Sequence, residues 1–146
     1  MIAIATNTSD TVPKPLNDTA QLPVFQKYGE AAVAGFQAVP DLLLKNQAKL
    51  DLSPTDMVVL LNVLMHWWYP EQKPFPRSTT IALRIGLTAR TVQRSMQHLE
   101  KVGLLTRETA DDGRVYLDPK PLVDRLEEIA PTDTDYLVRK RRRNTA

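Results

Sequence analysis

Apolar residues along the chain fall into blocks whose spacing separates helix from loop. In the stretch from Met57 to Trp68, Met57, Leu60, Leu61, Leu64 and Trp68 recur at helical spacing, while Val58, Val59, Val63, Met65 and Trp67 fill most remaining sides. A helix apolar on so many sides belongs at the centre of a core. Ser53-Pro54 supplies an N-cap and a proline for the first helical position, so a helix is predicted from Pro54 to about Trp68. Pro70, Pro74 and Pro76 then enforce a loop, because proline lacks the amide donor and fixes its own backbone angle. A short helix with Ile81, Ala82 and Ile85 follows, capped by Ser78 and ended by Gly86. Thr88 caps the next, from about Ala89 to Lys101 or Val102, and Gly103 ends it. Leu104–Arg107 and Val115–Leu117 read as two strands joined by an Asp-Gly turn, and Leu122–Ile129 as a helix with Val123, Leu126 and Ile129 on one side. The pattern is mainly α with one small β-hairpin.

The flanks differ in character. Residues 1–22, rich in Thr, Asn, Asp, Ser and Pro, read as a disordered N-terminal segment. Residues 23–130 read as one domain with an N-terminal helical extension and a C-terminal helix, and 131–146 as a basic, flexible tail. Pro40-Asp41 marks a break before a short helix containing Leu42, Leu43 and Leu44. The segment 24–50 either adds to the core or forms a dimerisation element. The short apolar run at the N-terminus does not read as a signal peptide, and the run Met57–Met65 is too short to span a bilayer. The absence of cysteine removes disulfides, thiol nucleophiles and cysteine-based zinc sites, and suits a reducing, cytoplasmic setting.

Charge changes the picture through its placement, since the net value is only +2. Residues 1–70 are acidic on balance, but 77–107 hold Arg77, Arg84, Arg90, Arg94, Lys101 and Arg107 against Glu100 alone. A second concentration is the run Arg139, Lys140, Arg141, Arg142 and Arg143. Two separate basic clusters are the electrostatic footprint of a polyanion binder.

On a helix over 89–101, Arg90, Gln93, Arg94, Gln97 and Lys101 fall within roughly 100° of one another. Val92, Met96 and Leu99 lie opposite. Arginine can donate two hydrogen bonds to guanine O6 and N7, and glutamine can pair with adenine N6 and N7 in the major groove. Thr88 and Thr91 stand at the first turn, where hydroxyls and free amides can hold a phosphate. A solvated amphipathic helix would use the same residue types, so the setting decides between the two.

The setting is a capped short helix, then Gly-Leu-Thr, then this helix, then "GLLTR" and an Asp-Asp-Gly turn. "STTIALRIGLTARTVQRSMQHLEKVGLLTR" resembles the winged helix-turn-helix of bacterial DNA-binding proteins over roughly 53–118. The lead-in "VPDLLLKNQAKLDLSPTDMVVLLNVL" is similar to winged-helix domains of plasmid and phage replication initiators. The resemblance implies that the helix from Ala89 is a recognition helix, with Arg90, Gln93, Arg94 and Gln97 toward the major groove. It implies phosphate contacts from Ser78, Thr79 and Thr88, and a wing-tip contact from Arg114. Asp111 and Asp112 beside Arg114 read equally as turn formers.

No phosphate loop, nucleophile elbow or credible carboxylate pair appears, so no catalysis and no cofactor or metal is expected. His66, His98 and the Trp67-Trp68 pair read as packing residues. The expected fold is a mainly α winged helix-turn-helix with a small β-hairpin wing. The expected function is sequence-specific binding of double-stranded DNA as a homodimer, first as a transcriptional regulator. The alternatives are a replication or maintenance protein of a plasmid or mobile element, or a protein-interaction module built on a winged helix. The basic run 139–143 is expected to act as an arm that neutralises phosphates.

Overall fold

The computed structural model describes residues 22–145. The disorder expected for 1–22 lies, except for Leu22, outside the described residues. The chain divides between Val39 and Pro40 into two compact units. In the first, α1 (Pro23–Tyr28) and α2 (Glu30–Val33) are joined at Gly29, and Phe25 meets Phe36 edge-on at 5.8 Å.

The second unit holds α3 (Asp41–Lys45), α4 (Pro54–Leu64), α5 (Ser78–Ile85) and α6 (Ala89–Lys101). Strands β1 (Thr106–Thr109) and β2 (Val115–Asp118) follow, then α7 (Lys120–Ile129), a 3-10 turn at Ala130–Thr132 and α8 (Thr134–Thr145). The architecture is mainly helical with a two-stranded antiparallel hairpin in which Thr106 faces Asp118 and Thr109 faces Val115. Among the described residues no helix is long and apolar enough to cross a membrane.

Helix α4 starts where its sequence dictates. The Ser53 hydroxyl accepts from the Asp56 amide and the Asp56 carboxylate accepts from the Ser53 amide, both at 3.0 Å, closing a reciprocal capping box. The helix ends at Leu64 rather than Trp68. His66 and Trp67 donate instead to the carbonyls of Val63 and Leu64, tightening the chain ahead of Pro70. Val59, Leu60 and Val63 are fully buried, as are Ile81 of α5, and Val92 and Leu99 of α6. Leu43 of α3 and Leu104, Leu105 and Leu117 of the hairpin enclose the same core, with Leu122, Leu126 and Ile129 from α7.

The turn between α5 and α6 requires Gly86, whose φ of 70° and ψ of 29° are left-handed. A β-carbon built there meets no heavy atom within 4 Å, so a substitution perturbs backbone conformation alone. Gly86→Ala should therefore destabilise the domain by about 1 kcal/mol, read as a lower urea midpoint at constant slope. An unchanged midpoint would show that the turn can relax into another conformation.

Candidate nucleic-acid interface

Residues on α6 divide as their spacing requires. Val92, Met96 and Leu99 are buried, while Arg90, Gln93, Arg94, Gln97 and Lys101 are exposed. Thr88 caps the helix, its hydroxyl accepting from the Thr91 amide at 3.1 Å and lying 2.9 Å from the Thr91 hydroxyl. Leu104 and Leu105 both donate to the carbonyl of Leu99, which fixes the exit of α6 toward the hairpin.

Ser95 is the polar exception on the buried side. Its hydroxyl donates to the Asp56 carboxylate at the start of α4, tying the middle of α6 to that helix. Burial favours the neutral acid at Asp56. The hydrogen bonds from Ser95 and Ser53, with the nearby His98, outweigh burial and hold its pKa below the usual carboxylate value. His98 Nε2 lies 2.7 Å from the Asp51 carbonyl, which can only accept, so Nε2 carries the hydrogen. Spacing along α6 identifies Ser95 as neither core nor contact; a partner 39 residues away in α4 explains its place.

Between α6, the start of α5 and the hairpin runs an open groove of about 730 Å³. It brings together five of the expected contact residues, Ser78, Thr79, Gln93, Gln97 and Arg114. Gln93 Nε2 donates to the Ser78 hydroxyl at 3.3 Å, linking the two helices across the groove. Ser78 is not the cap of α5. Arg77 occupies the N-cap position, and its side chain does not cap the first amides of that helix. Those amides lie beside Ser78 and Thr79, an arrangement suited to an anion.

Arg77, Phe75 and Arg107 also line the groove and were not singled out as contacts from sequence. Arg77 could have been found from its place immediately before a helix. Arg107 and Glu100 lie on either side of the Gly103 turn, and nothing local in the sequence pairs them. In the structure they form a forked ion pair, with the Arg107 Nε 3.1 Å from Oε1 and Nη2 3.0 Å from Oε2. That pair occupies the only acid of α6.

Electrostatically the face of α6 and the wing differ. Among the described residues Arg90, Arg94, Lys101 and Arg77 form no ion pair. Arg114 at the hairpin tip lies 3.1 Å from the Asp112 carboxylate and 5.6 Å over the ring of Phe75. Asp112 also accepts from the Arg114 amide, beside Gly113 at φ 87°. Asp112 is thus a turn former and a partner for Arg114 at once, which lowers the charge available at the wing tip.

The basic run 139–143, expected as a flexible arm, lies instead on α8. An Asp133 carboxylate oxygen accepts from the Asp135 amide, and Lys45 of α3 lies 3.2 Å from Asp133 and 3.0 Å from Asp135. These contacts order the first turn, and the cations at the other end suit the helix dipole. α8 packs against the 3-10 turn, whereas α6 packs on α4 and α5, so the structure does not join Arg139–Arg143 to the α6 face.

A helix-turn-helix followed by a two-stranded hairpin, with an uncompensated basic face on its second helix, defines a winged-helix protein. Residues 39–130 match the model of the DnaD N-terminal domain, and the chain belongs to that family. The N-terminal domain of DnaD protein from Geobacillus kaustophilus HTA426 has the same fold, with a TM-score of 0.55 and 23% identity over 73% of this chain and 90% of that one. No curated protein matches the chain. The family match begins at the boundary between the two compact units and takes in the lead-in to α4 as well as the helix-turn-helix.

Proposed function

We propose that this protein acts in DNA replication, as a winged-helix module that binds double-stranded DNA through α6 and performs no catalytic step itself. Membership of the DnaD N-terminal domain family supports the replication reading over the transcriptional regulator first expected. The similarity of its lead-in to replication initiators points the same way. The observation that carries DNA binding is the α6 face. There Arg90, Arg94 and Lys101 stand exposed and unpaired beside Gln93 and Gln97, while Arg107 holds Glu100. In this reading α6 lies in the major groove, with Ser78, Thr79, Thr88 and Thr91 against the phosphates. The setting is cytoplasmic, the active form is a homodimer, and a protein partner shares the work.

Selection of bound duplexes from a random library, followed by binding measurements on the enriched site, tests the reading. Arg94→Ala should weaken binding to that site by about 1–3 kcal/mol and relax preference at one position. Equal loss on every duplex would leave Arg94 as a phosphate contact only. Enriched sites clustered at an origin support replication; sites overlapping promoters would restore the regulator.

A second reading has one specific observation behind it. Arg114 is paired with Asp112, and the groove floor includes Phe75, Met96 and Leu117, which suits a protein partner. If the domain is a protein-interaction module, reversing Arg90 and Arg94 to Glu should leave its function intact.

A further inference from the structure

The basic helix α8 lies beyond residues 39–130, where the family match ends, and the α6 reading does not use it. It buries no residue, so it adds little to the core. Arg139, Lys140, Arg141, Arg142 and Arg143 follow one another on it, placing like charges three and four residues apart, where they repel. The contacts of α8 with the rest of the chain run from its start to Arg139. Lys45 bridges Asp133 and Asp135, Lys140 Nζ lies 2.8 Å from the Tyr136 hydroxyl, and Arg139 approaches Asp41 at 3.9 Å. Arg141, Arg142 and Arg143 have no acidic partner among the described residues. The Thr145 hydroxyl closes the far end by donating toward the carbonyls of Arg141 and Arg142, at 3.2 and 3.0 Å.

We infer that α8 is a second, sequence-independent surface for duplex DNA, separate from α6. The geometry favours this ligand. Successive helical residues turn by about 100°, so the five cations are spread around α8, and Arg141, Arg142 and Arg143 leave positive charge on more than one side of it. A duplex is a ligand of opposite sign and high charge density, with one phosphate charge per about 1.7 Å of its axis. A membrane surface fits less well. Residues 139–145 contain no apolar side chain to enter the acyl region, and the large aliphatic side chains that α8 exposes are two, Leu137 and Val138. Phosphates would relieve the repulsion within α8 and release their own counterions. The inference is independent of whether α6 reads bases.

The test uses the full chain and a duplex of arbitrary sequence, with affinity measured across a salt series. Arg141→Gln with Arg142→Gln removes two exposed, unpaired charges and retains good helix formers, and circular dichroism checks that helix content is unchanged. The log-affinity against log-salt slope should become shallower by about 1.8, the value for two lost phosphate contacts. The ratio of affinities for the α6-selected site and the arbitrary duplex should not change. The Arg90→Gln, Arg94→Gln variant should instead reduce that ratio. An unaltered slope in the Arg141, Arg142 variant would overturn the inference while leaving the α6 reading standing. So would binding to phosphatidylserine vesicles that falls in this variant while duplex binding does not. Loss through α8 with no effect of the α6 variant would retain α8 and overturn the α6 reading.

Discussion

Leu99→Ala should destabilise the winged-helix unit by about 2–5 kcal/mol, a large part of the roughly 5–15 kcal/mol available to a small domain. Leu99 has no exposed surface, and its backbone carbonyl takes the amides of Leu104 and Leu105, so it sits where α6 hands over to the hairpin. Truncation removes buried packing, and the cost rises with the volume of the cavity that remains. Urea unfolding should show a lower midpoint with an unaltered slope. Gln97→Ala, two residues away on the exposed side, should change stability by less than about 0.5 kcal/mol. The contrast matters for function, because α6 is at once a core element and the proposed reading face. A stability loss at Leu99 should weaken binding only where it leaves part of the chain unfolded, and then on every duplex equally, while a loss at Arg94 should act on the selected site alone. A Leu99→Ala penalty below about 1 kcal/mol would mean that α6 is not packed as described.

The parts of the fold that were legible in the sequence are those set by local chemistry. Ser53-Pro54 and Thr88 mark the starts of α4 and α6, and Gly86 the end of α5, because caps and left-handed turns depend on only a few neighbouring residues. The division of α6 into Val92, Met96 and Leu99 against Arg90, Gln93, Arg94, Gln97 and Lys101 follows from helical periodicity. What the sequence concealed is pairing at a distance. Ser95 with Asp56, His98 with Asp51 and Arg107 with Glu100 exist only once the helices and hairpin are assembled. These pairs change the site, since the last removes the acid from the α6 face. α8 was hidden for a different reason. A helix that buries nothing leaves no apolar period, and its order comes from Lys45, 88 and 90 residues away from Asp133 and Asp135. The process was less legible than the fold because the 78–107 motif describes how a winged helix is built. The lead-in from Val39 carried the pointer toward replication, and the family match covers it.

Asp56→Ala should cost about 2–4 kcal/mol, the sum of a lost helix cap and a stranded hydroxyl. The carboxylate serves two elements. It accepts from the Ser53 amide to start α4, and from the buried Ser95 hydroxyl to hold α6. Alanine strands both donors. Adding Ser95→Ala should recover part of the loss by removing the unpaired hydroxyl, and strict additivity of the two changes would show that the pair is not coupled. The same carboxylate sets a pH dependence. Its folded pKa lies below the usual value, so the folded state binds the proton more weakly than the unfolded chain. Its contribution is therefore present above the unfolded carboxylate range, near pH 4, and is lost as pH falls through the folded value. Wild-type stability should decline from about pH 5 downward, and the Asp56→Ala profile should be flatter over that window. Parallel profiles would assign the acid sensitivity to other carboxylates and leave Asp56 as a cap alone. The flatter variant profile would tie acid stability to the contact that holds α6 against α4.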